Sequence, residues 1–99
     1  MAKVILRQEA IDDLNYIWAY TFETWSEKQA DKYYSALESA CMQIGENPDL
    51  GKEYNGVNPN LLGLRIAKHI ILYQIVTKDE IEIIRILHER MELKNRLNE

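Results

Sequence analysis

The chain has 99 residues, of which 46% are hydrophobic and 28% charged, the composition of an ordinary globular protein. Residues 1–60 contain 5 Lys and Arg against 10 Asp and Glu, a balance of −5, whereas residues 61–99 contain 7 against 6, a balance of +1. This distribution argues against a general nucleic-acid-binding protein, which would carry a strongly basic surface. We therefore expect one domain over residues 1–99, with a local basic patch near its C-terminus.

The cysteine content and the apolar runs indicate a cytoplasmic protein. Cys41 is the only cysteine, so neither a disulfide framework nor a thiolate metal cluster is expected, and the thiol is interpreted as a small core side chain. Polar residues interrupt the first apolar run before a signal-peptide core could form. The other apolar runs are far shorter than the roughly 20 residues of a membrane-spanning helix, so no membrane association is predicted.

The first 50 residues predict one strand and two helices. The apolar run at residues 4–6 indicates an edge strand. In residues 9–25 apolar or neutral side chains recur at steps of three and four, which predicts an amphipathic helix: Ile11, Leu14, Trp18, Thr21 and Trp25. Ser26 followed by Gln29 matches a capping box and starts a second helix. We expect that helix to stop at Gly45, in a left-handed conformation, before Asn47-Pro48, so that the two helices form an αα-hairpin.

Three β-branched, apolar runs follow a Gly- and Pro-containing surface loop at residues 45–60. They cover residues 64–68, 70–77 and 81–88, and the predicted turns between them lie at residues 68–69 and 78–80. This order predicts an α+β fold of the form β-α-α-β-β-β. An antiparallel sheet would be packed on one face by the αα-hairpin, and a short helical tail would end the chain.

Both faces of the predicted sheet are apolar, although two helices can cover only one. Alternation places Ile81, Ile83 and Leu87 on one side and Ile84 and Ile86 on the other. In the preceding run it separates Ile71, Tyr73 and Ile75 from Ile70, Leu72 and Val76. The tail residues Met91, Leu93 and Leu97 would cover part of the second face. The remainder predicts a protein partner, with Leu72, Tyr73, Ile84 and Ile86 as candidate contacts.

One group of side chains has the chemistry for RNA cleavage. It consists of Arg65, Tyr73, Arg85, His88 and Arg90. Arginines bind phosphates through paired hydrogen bonds, and His or Tyr can carry a proton. The alternative for Arg85 is a partly buried side chain that either forms an ion pair with a carboxylate or bonds to a backbone group. The two histidines, His69 and His88, lack the further ligands of a metal site, and no cofactor-binding motif is present.

The segment at residues 85–93 resembles the C-terminal signature of ParE toxins, in the RelE/ParE superfamily of toxin–antitoxin systems. It reads Arg-Ile-Leu-His-Glu-Arg-Met-Glu-Leu. Weaker similarities, in matching order and spacing, are Glu9-Ala10 with residues 13–17, Gln29-Ala30 with Tyr33, Asn47-Pro48 with Gly51, residues 63–65, and His69 with Leu72-Tyr73. Three positions differ from the family's usual residues: Gln8, Trp25 and Glu92.

The resemblance implies a toxin that inhibits DNA gyrase and blocks replication, that is not an enzyme and needs no cofactor, and that a ParD-like antitoxin neutralises. It implies no sequence-specific nucleic-acid binding by the toxin alone. The antitoxin contacts would be the four apolar sheet residues named above. The target contacts would be Arg65, Arg85, His88, Arg90, Met91, Leu93 and Leu97. The alternative is a RelE-like, ribosome-dependent mRNA endonuclease.

Overall fold

The computed structural model describes residues 2–54 and 60–89. The elements, in chain order, are β1 (Lys3–Leu6), α1 (Gln8–Thr24), α2 (Glu27–Glu46), a 3-10 turn (Pro48–Leu50), β2 (Lys52–Glu53), β3 (Leu61–Ile66), β4 (His69–Thr77) and β5 (Glu80–His88). The strands form one sheet in the order β1-β5-β4-β3-β2. The predicted α+β fold is confirmed, with the addition of β2, whose two exposed polar residues carry no apolar pattern. The predicted tail lies outside the described residues.

The start of α2 is confirmed, but the role assigned to Gly45 is corrected. The Ser26 hydroxyl accepts a hydrogen bond from the Gln29 amide at 3.1 Å, as in the expected cap. Gly45 lies inside α2, which ends one residue later. A Cβ at Gly45 would lie 2.6 Å from Cγ2 of Val4, and its carbonyl accepts a hydrogen bond from the Ala2 amide at 2.9 Å. The glycine therefore allows the N-terminal strand to pass close to α2.

The sheet is mixed, whereas the sequence predicted an antiparallel one. Strands β3, β4 and β5 form the expected antiparallel meander, but β1 pairs in parallel with β5, from Lys3 opposite Glu80 to Leu6 opposite Ile83. The helical hairpin separates β1 from the meander and brings the chain back in the direction that parallel pairing requires. The first turn of the meander is at residues 67–68, where Ala67 has a φ of 51°, and β4 begins at His69.

A β-bulge in β5 exchanges the predicted orientations of two side chains. Leu72 pairs with Arg85 but Tyr73 pairs with Ile83, so Ile84 is the extra residue. One inserted residue reverses the alternation beyond it. Consequently Ile86 joins Ile83 in the core under the helices, and Leu87 joins Ile84 on the opposite face.

The core lies between the helices and one face of the sheet. Its fully buried members include Leu37, Ile44, Ile71, Tyr73, Ile81, Ile83 and Ile86. Cys41 lies in the same core, as expected, and burial raises the pKa of its thiol to about 11. The opposite face, called here the second face, consists of Tyr54, Leu61, Ile70, Leu72, Ile84 and Leu87. Within the described part of the chain, no helix is long and apolar enough to cross a bilayer.

Tyr73 joins the core to the segment that follows α2. Its hydroxyl donates to the Pro48 carbonyl and accepts from the Gly51 amide, each at 2.7 Å. A Cβ at Gly51 would lie 2.6 Å from that hydroxyl, so only glycine permits this approach. Tyr73 is thus a core residue with two backbone partners, and it holds the chain at the start of the loop leading to β3.

Candidate functional site

Arg85 is held by a carboxylate of α1. Its Nε donates to Oδ2 of Asp13 at 2.8 Å and its terminal nitrogen to Oδ1 at 3.0 Å, while the Ile86 amide donates to Oδ2 at 2.9 Å. The hydrogen bonds with Asp13 raise the pKa of Arg85. Because β1 pairs with β5 only as far as Ile83, Asp13 occupies the edge of β5 just beyond the end of β1. The ion-pair alternative for Arg85 is confirmed, with a partner 72 positions away in sequence.

A cluster of Tyr33, His69 and His88 lies where β4 begins and β5 ends. The Tyr33 hydroxyl and Nδ1 of His69 are hydrogen-bonded, and the two histidine rings meet edge-on with centroids 5.1 Å apart. Burial, and then the neighbouring His88, lowers the pKa of His69 to about 4, whereas burial raises the pKa of Tyr33. His69 is therefore neutral at pH 7. The sequence did not single out Tyr33 as a candidate, although it stood in one of the similar segments.

Arg65 lies at the same end of the sheet and is also paired. Its terminal nitrogen lies 2.6 Å from Oε2 of Glu89, and the Glu89 amide donates to the Lys68 carbonyl at 2.8 Å. The Arg65 side chain is 63% exposed, so the pair contributes roughly 0–1 kcal/mol and leaves the guanidinium accessible. Arg65 is aligned with Ile70 and Leu87 of the second face, whereas His69 and His88 lie one position further along, on the helix-covered face. Arg85 is turned towards α1.

The four predicted antitoxin contacts do not share a surface. Leu72 and Ile84 lie on the second face, whereas Tyr73 and Ile86 are 0% and 2% exposed in the core beneath the helices. The bulge accounts for Ile86, and the packing of the helices on that side of β4 accounts for Tyr73. Tyr73 and Ile86 are therefore enclosed in the core of the toxin, while contact of the antitoxin with Leu72 and Ile84 stays a prediction.

Four of the predicted target contacts lie outside the described residues: Arg90, Met91, Leu93 and Leu97. Within the described residues, 2–54 and 60–89, no group of three His, Cys, Asp or Glu side chains is placed to hold a metal ion.

The His69 site predicts acid sensitivity within a defined pH range. The unfolded chain takes up this proton near pH 6.5 and the folded chain only near pH 4, so the unfolded state binds more protons in between. The stabilisation is complete above pH 6.5 and is lost as the pH falls towards 4. Since His69 is only half-buried, we expect a loss of about 1–2 kcal/mol in the free energy of unfolding. Urea unfolding at a series of pH values from 7 to 5 measures the free energy of unfolding. We expect it to fall less with pH in His69→Gln than in the parent, and an equal fall in both proteins would contradict the assignment.

Comparison with known proteins identifies the family. The sequence model described as the ParE toxin of the type II toxin–antitoxin system parDE matches residues 4–93. The chain is 27% identical over 96 residues to Toxin ParE1 of Mycobacterium tuberculosis, covering 97% of this chain and 98% of the relative. It is 30% identical over 97 residues to Toxin ParE of Escherichia coli, covering 98% of this chain and 94% of the relative.

A solved structure has the same fold. A chain of the chromosomal ParDE system from P. aeruginosa superposes with a TM-score of 0.76 at 18% identity, covering 89% of this chain and 96% of that chain. At that identity the likeness concerns the fold alone. Because the family model spans nearly the whole sequence, the chain belongs to the ParE toxins of type II toxin–antitoxin systems.

Proposed function

We propose that this toxin inhibits DNA gyrase, thereby blocking replication, and that a ParD-like antitoxin neutralises it. Family membership supports a toxin, and the solved ParDE system with this fold supports an antitoxin partner. The observation that most favours inhibition by binding is the pairing of the candidate arginines with Asp13 and Glu89. Such a target places the action of the toxin in the cytoplasm.

Cleavage of a phosphodiester requires a base, an acid and cationic groups that stabilise the developing charge. Both Nε and a terminal nitrogen of Arg85 are already bound to Asp13, and Arg65 forms an ion pair with Glu89. The described arginines therefore do not converge on one phosphate. This arrangement favours a toxin that acts through its surface.

The end of the sheet near Arg65 is the proposed target contact. Arg65 is exposed at the end of the sheet where β5 stops at His88, and Arg90, Met91, Leu93 and Leu97 follow His88 in sequence. The basic balance of residues 61–99 suits a DNA-bound enzyme, because positive charge raises the rate of association with DNA. Arg85 contributes by holding β5 against α1 instead of contacting the target.

The alternative, a ribosome-dependent mRNA endonuclease, is favoured by one observation. His69 contacts both Tyr33 and His88, which lines up three groups that can exchange protons, and His69 is neutral. A neutral imidazole can act as a base. The variant Tyr33→Phe removes the hydroxyl and keeps the ring, so it separates this alternative from gyrase inhibition.

The deciding experiment compares two activities of the purified toxin. We expect it to inhibit gyrase supercoiling, or to cause cleaved DNA to accumulate, and to leave ribosome-bound mRNA intact. Tyr33→Phe should inhibit gyrase as the parent does, because the hydroxyl is directed into the protein. Codon-specific mRNA cuts that disappear in Tyr33→Phe would establish the alternative and overturn the proposal.

A further inference from the structure

The outward surface of α1 carries a continuous line of exposed aromatic and acidic side chains. This line, called here the α1 stripe, consists of Glu9, Asp12, Tyr16, Tyr20 and Glu23. The spacing of three, four, four and three residues places them along one face of the helix, over about 21 Å at 1.5 Å per residue. All five side chains are exposed. The stripe is therefore long enough to accept a helix of about four turns or an extended segment.

Two tyrosines form the centre of the stripe and do not contribute to the core. Tyr16 and Tyr20 are 71% and 59% exposed, and their ring centroids lie 6.5 Å apart with planes inclined by 23°. The face of α1 that packs on the sheet is a different one, formed by Ala10, Leu14, Ile17 and Thr21. Tyrosine pairs are frequent anchors of protein interfaces because they bury a large apolar area and keep a polar end.

The charge of α1 determines what the stripe can bind. The helix contains Glu9, Asp12, Asp13 and Glu23 and no Lys, Arg or His. Asp13 is paired with Arg85, and Asp12 accepts a hydrogen bond from the Gln8 side-chain amide at 2.9 Å. Carboxylates at both ends of a pair of exposed ring faces suit Lys and Arg, through charge-assisted hydrogen bonds and cation–π contacts. The same charges repel nucleic-acid phosphates and a second copy of this helix.

We propose that the α1 stripe binds a cationic segment of the antitoxin, with apolar side chains over the two tyrosines and Lys or Arg at both ends. This inference rests on the proposed function. The antitoxin is favoured over the target because gyrase acts on DNA, which the anionic stripe repels. The proposed target contact, with Arg65, belongs to residues 61–99, where the charge balance is basic. The edge of β5 lies between α1 and the second face, since Ile84 belongs to the second face and the next residue, Arg85, contacts Asp13 of α1. An antitoxin chain that passes around this edge would contact both surfaces.

The test measures binding of the purified ParD-like antitoxin to the full-length toxin by calorimetry, at low and at high salt. We expect Tyr16→Ala/Tyr20→Ala to weaken binding by at least about tenfold at both salt concentrations. Asp12→Lys/Glu23→Lys should weaken it by about tenfold at low salt and by less at high salt, because exposed charges are screened. The matched controls are Phe22→Ala/Trp25→Ala, which removes two exposed aromatic rings outside the stripe, and Glu38→Lys/Glu53→Lys. We expect both controls to bind as the parent does.

The outcomes separate this inference from the proposed function. If the parent toxin does not bind the antitoxin, the proposed function fails and the inference falls with it. If the parent binds and both stripe variants bind equally well, the inference is wrong and the proposed function stands. Equal losses in the controls, or stripe variants that lose gyrase inhibition and keep antitoxin affinity, would also overturn it. Thermal melting is measured for each variant. If the alanine pair melts at a lower temperature than the parent, the charge-reversal pair is the decisive variant, because it removes no packed side chain.

Discussion

Replacing Asp13 with alanine is expected to lower the free energy of unfolding by about 2–4 kcal/mol. The substitution removes both hydrogen bonds to Arg85 and the acceptor of the Ile86 amide. The guanidinium would then lie partly buried without its counter-charge, and the edge of β5 would lose a backbone partner. Urea denaturation with an unchanged m-value would measure the loss directly.

The matched control is Asp12→Ala, because Asp12 is exposed and accepts a hydrogen bond from the neighbouring Gln8 side chain of the same helix. We expect it to change the free energy of unfolding by less than about 0.5 kcal/mol. The double variant Asp13→Ala/Arg85→Ala should lose less than the sum of its single variants, since removing both partners leaves no unpaired charge. Additive losses, or an unchanged stability for Asp13→Ala, would mean that the pair does not hold β5 to α1.

The helices and the meander could be predicted because their signals are local. Apolar spacing and the Ser26 cap act within one or two turns of a helix, and the β-branched runs are separated by short polar turns. The second apolar face also followed from the sequence, since two helices cannot cover both sides of the sheet. What these signals determine is the existence of each element and the general direction of its apolar side.

The errors arose where a residue depends on distant contacts. No local pattern marks Ile84 as the extra residue of a bulge, yet that residue reverses the predicted sides of Ile86 and Leu87. The pairing of Asp13 with Arg85 joins positions 72 residues apart, and the parallel pairing of β1 depends on the path of the whole hairpin. The close approach of Gly45 to Val4 is also a tertiary contact, so the sequence alone shows a glycine near a helix end and predicts a terminus there.

The candidate site divides in the same way. The resemblance in residues 85–93 identified the family, but the roles of individual side chains depended on geometry that a single sequence does not contain. Burial removes Tyr73 from the proposed partner surface and assigns its hydroxyl to Pro48 and Gly51. Leu72 lies on the second face but is already buried in the free toxin. The substitution Leu72→Asp would therefore destabilise the fold, and a loss of binding in that variant would not report on the interface.

Ile84 is therefore the informative position on the second face. It belongs to the second face but is only partly buried, so a polar side chain there retains access to water in the free toxin. Its matched control is Ile75, which is 41% exposed and lines a cleft with Leu62, a residue that packs on the core side of the sheet. Both positions permit the same substitution, isoleucine to aspartate, in adjacent strands.

We expect Ile84→Asp to weaken the complex with the ParD-like antitoxin by about 100-fold, because an interface that covers this position must desolvate the new carboxylate without a partner. The corresponding cost is about 2.8 kcal/mol, since each tenfold change in affinity is about 1.4 kcal/mol. Calorimetry with the purified antitoxin measures the affinity, and growth of cells expressing both proteins measures its consequence.

Ile84→Asp should still arrest growth, and the antitoxin should no longer restore growth at a level that neutralises the parent. The control Ile75→Asp should be neutralised normally. Equal affinities for Ile84→Asp and the parent would place the antitoxin away from the second face, because no interface could cover an unpaired carboxylate at its centre without losing affinity.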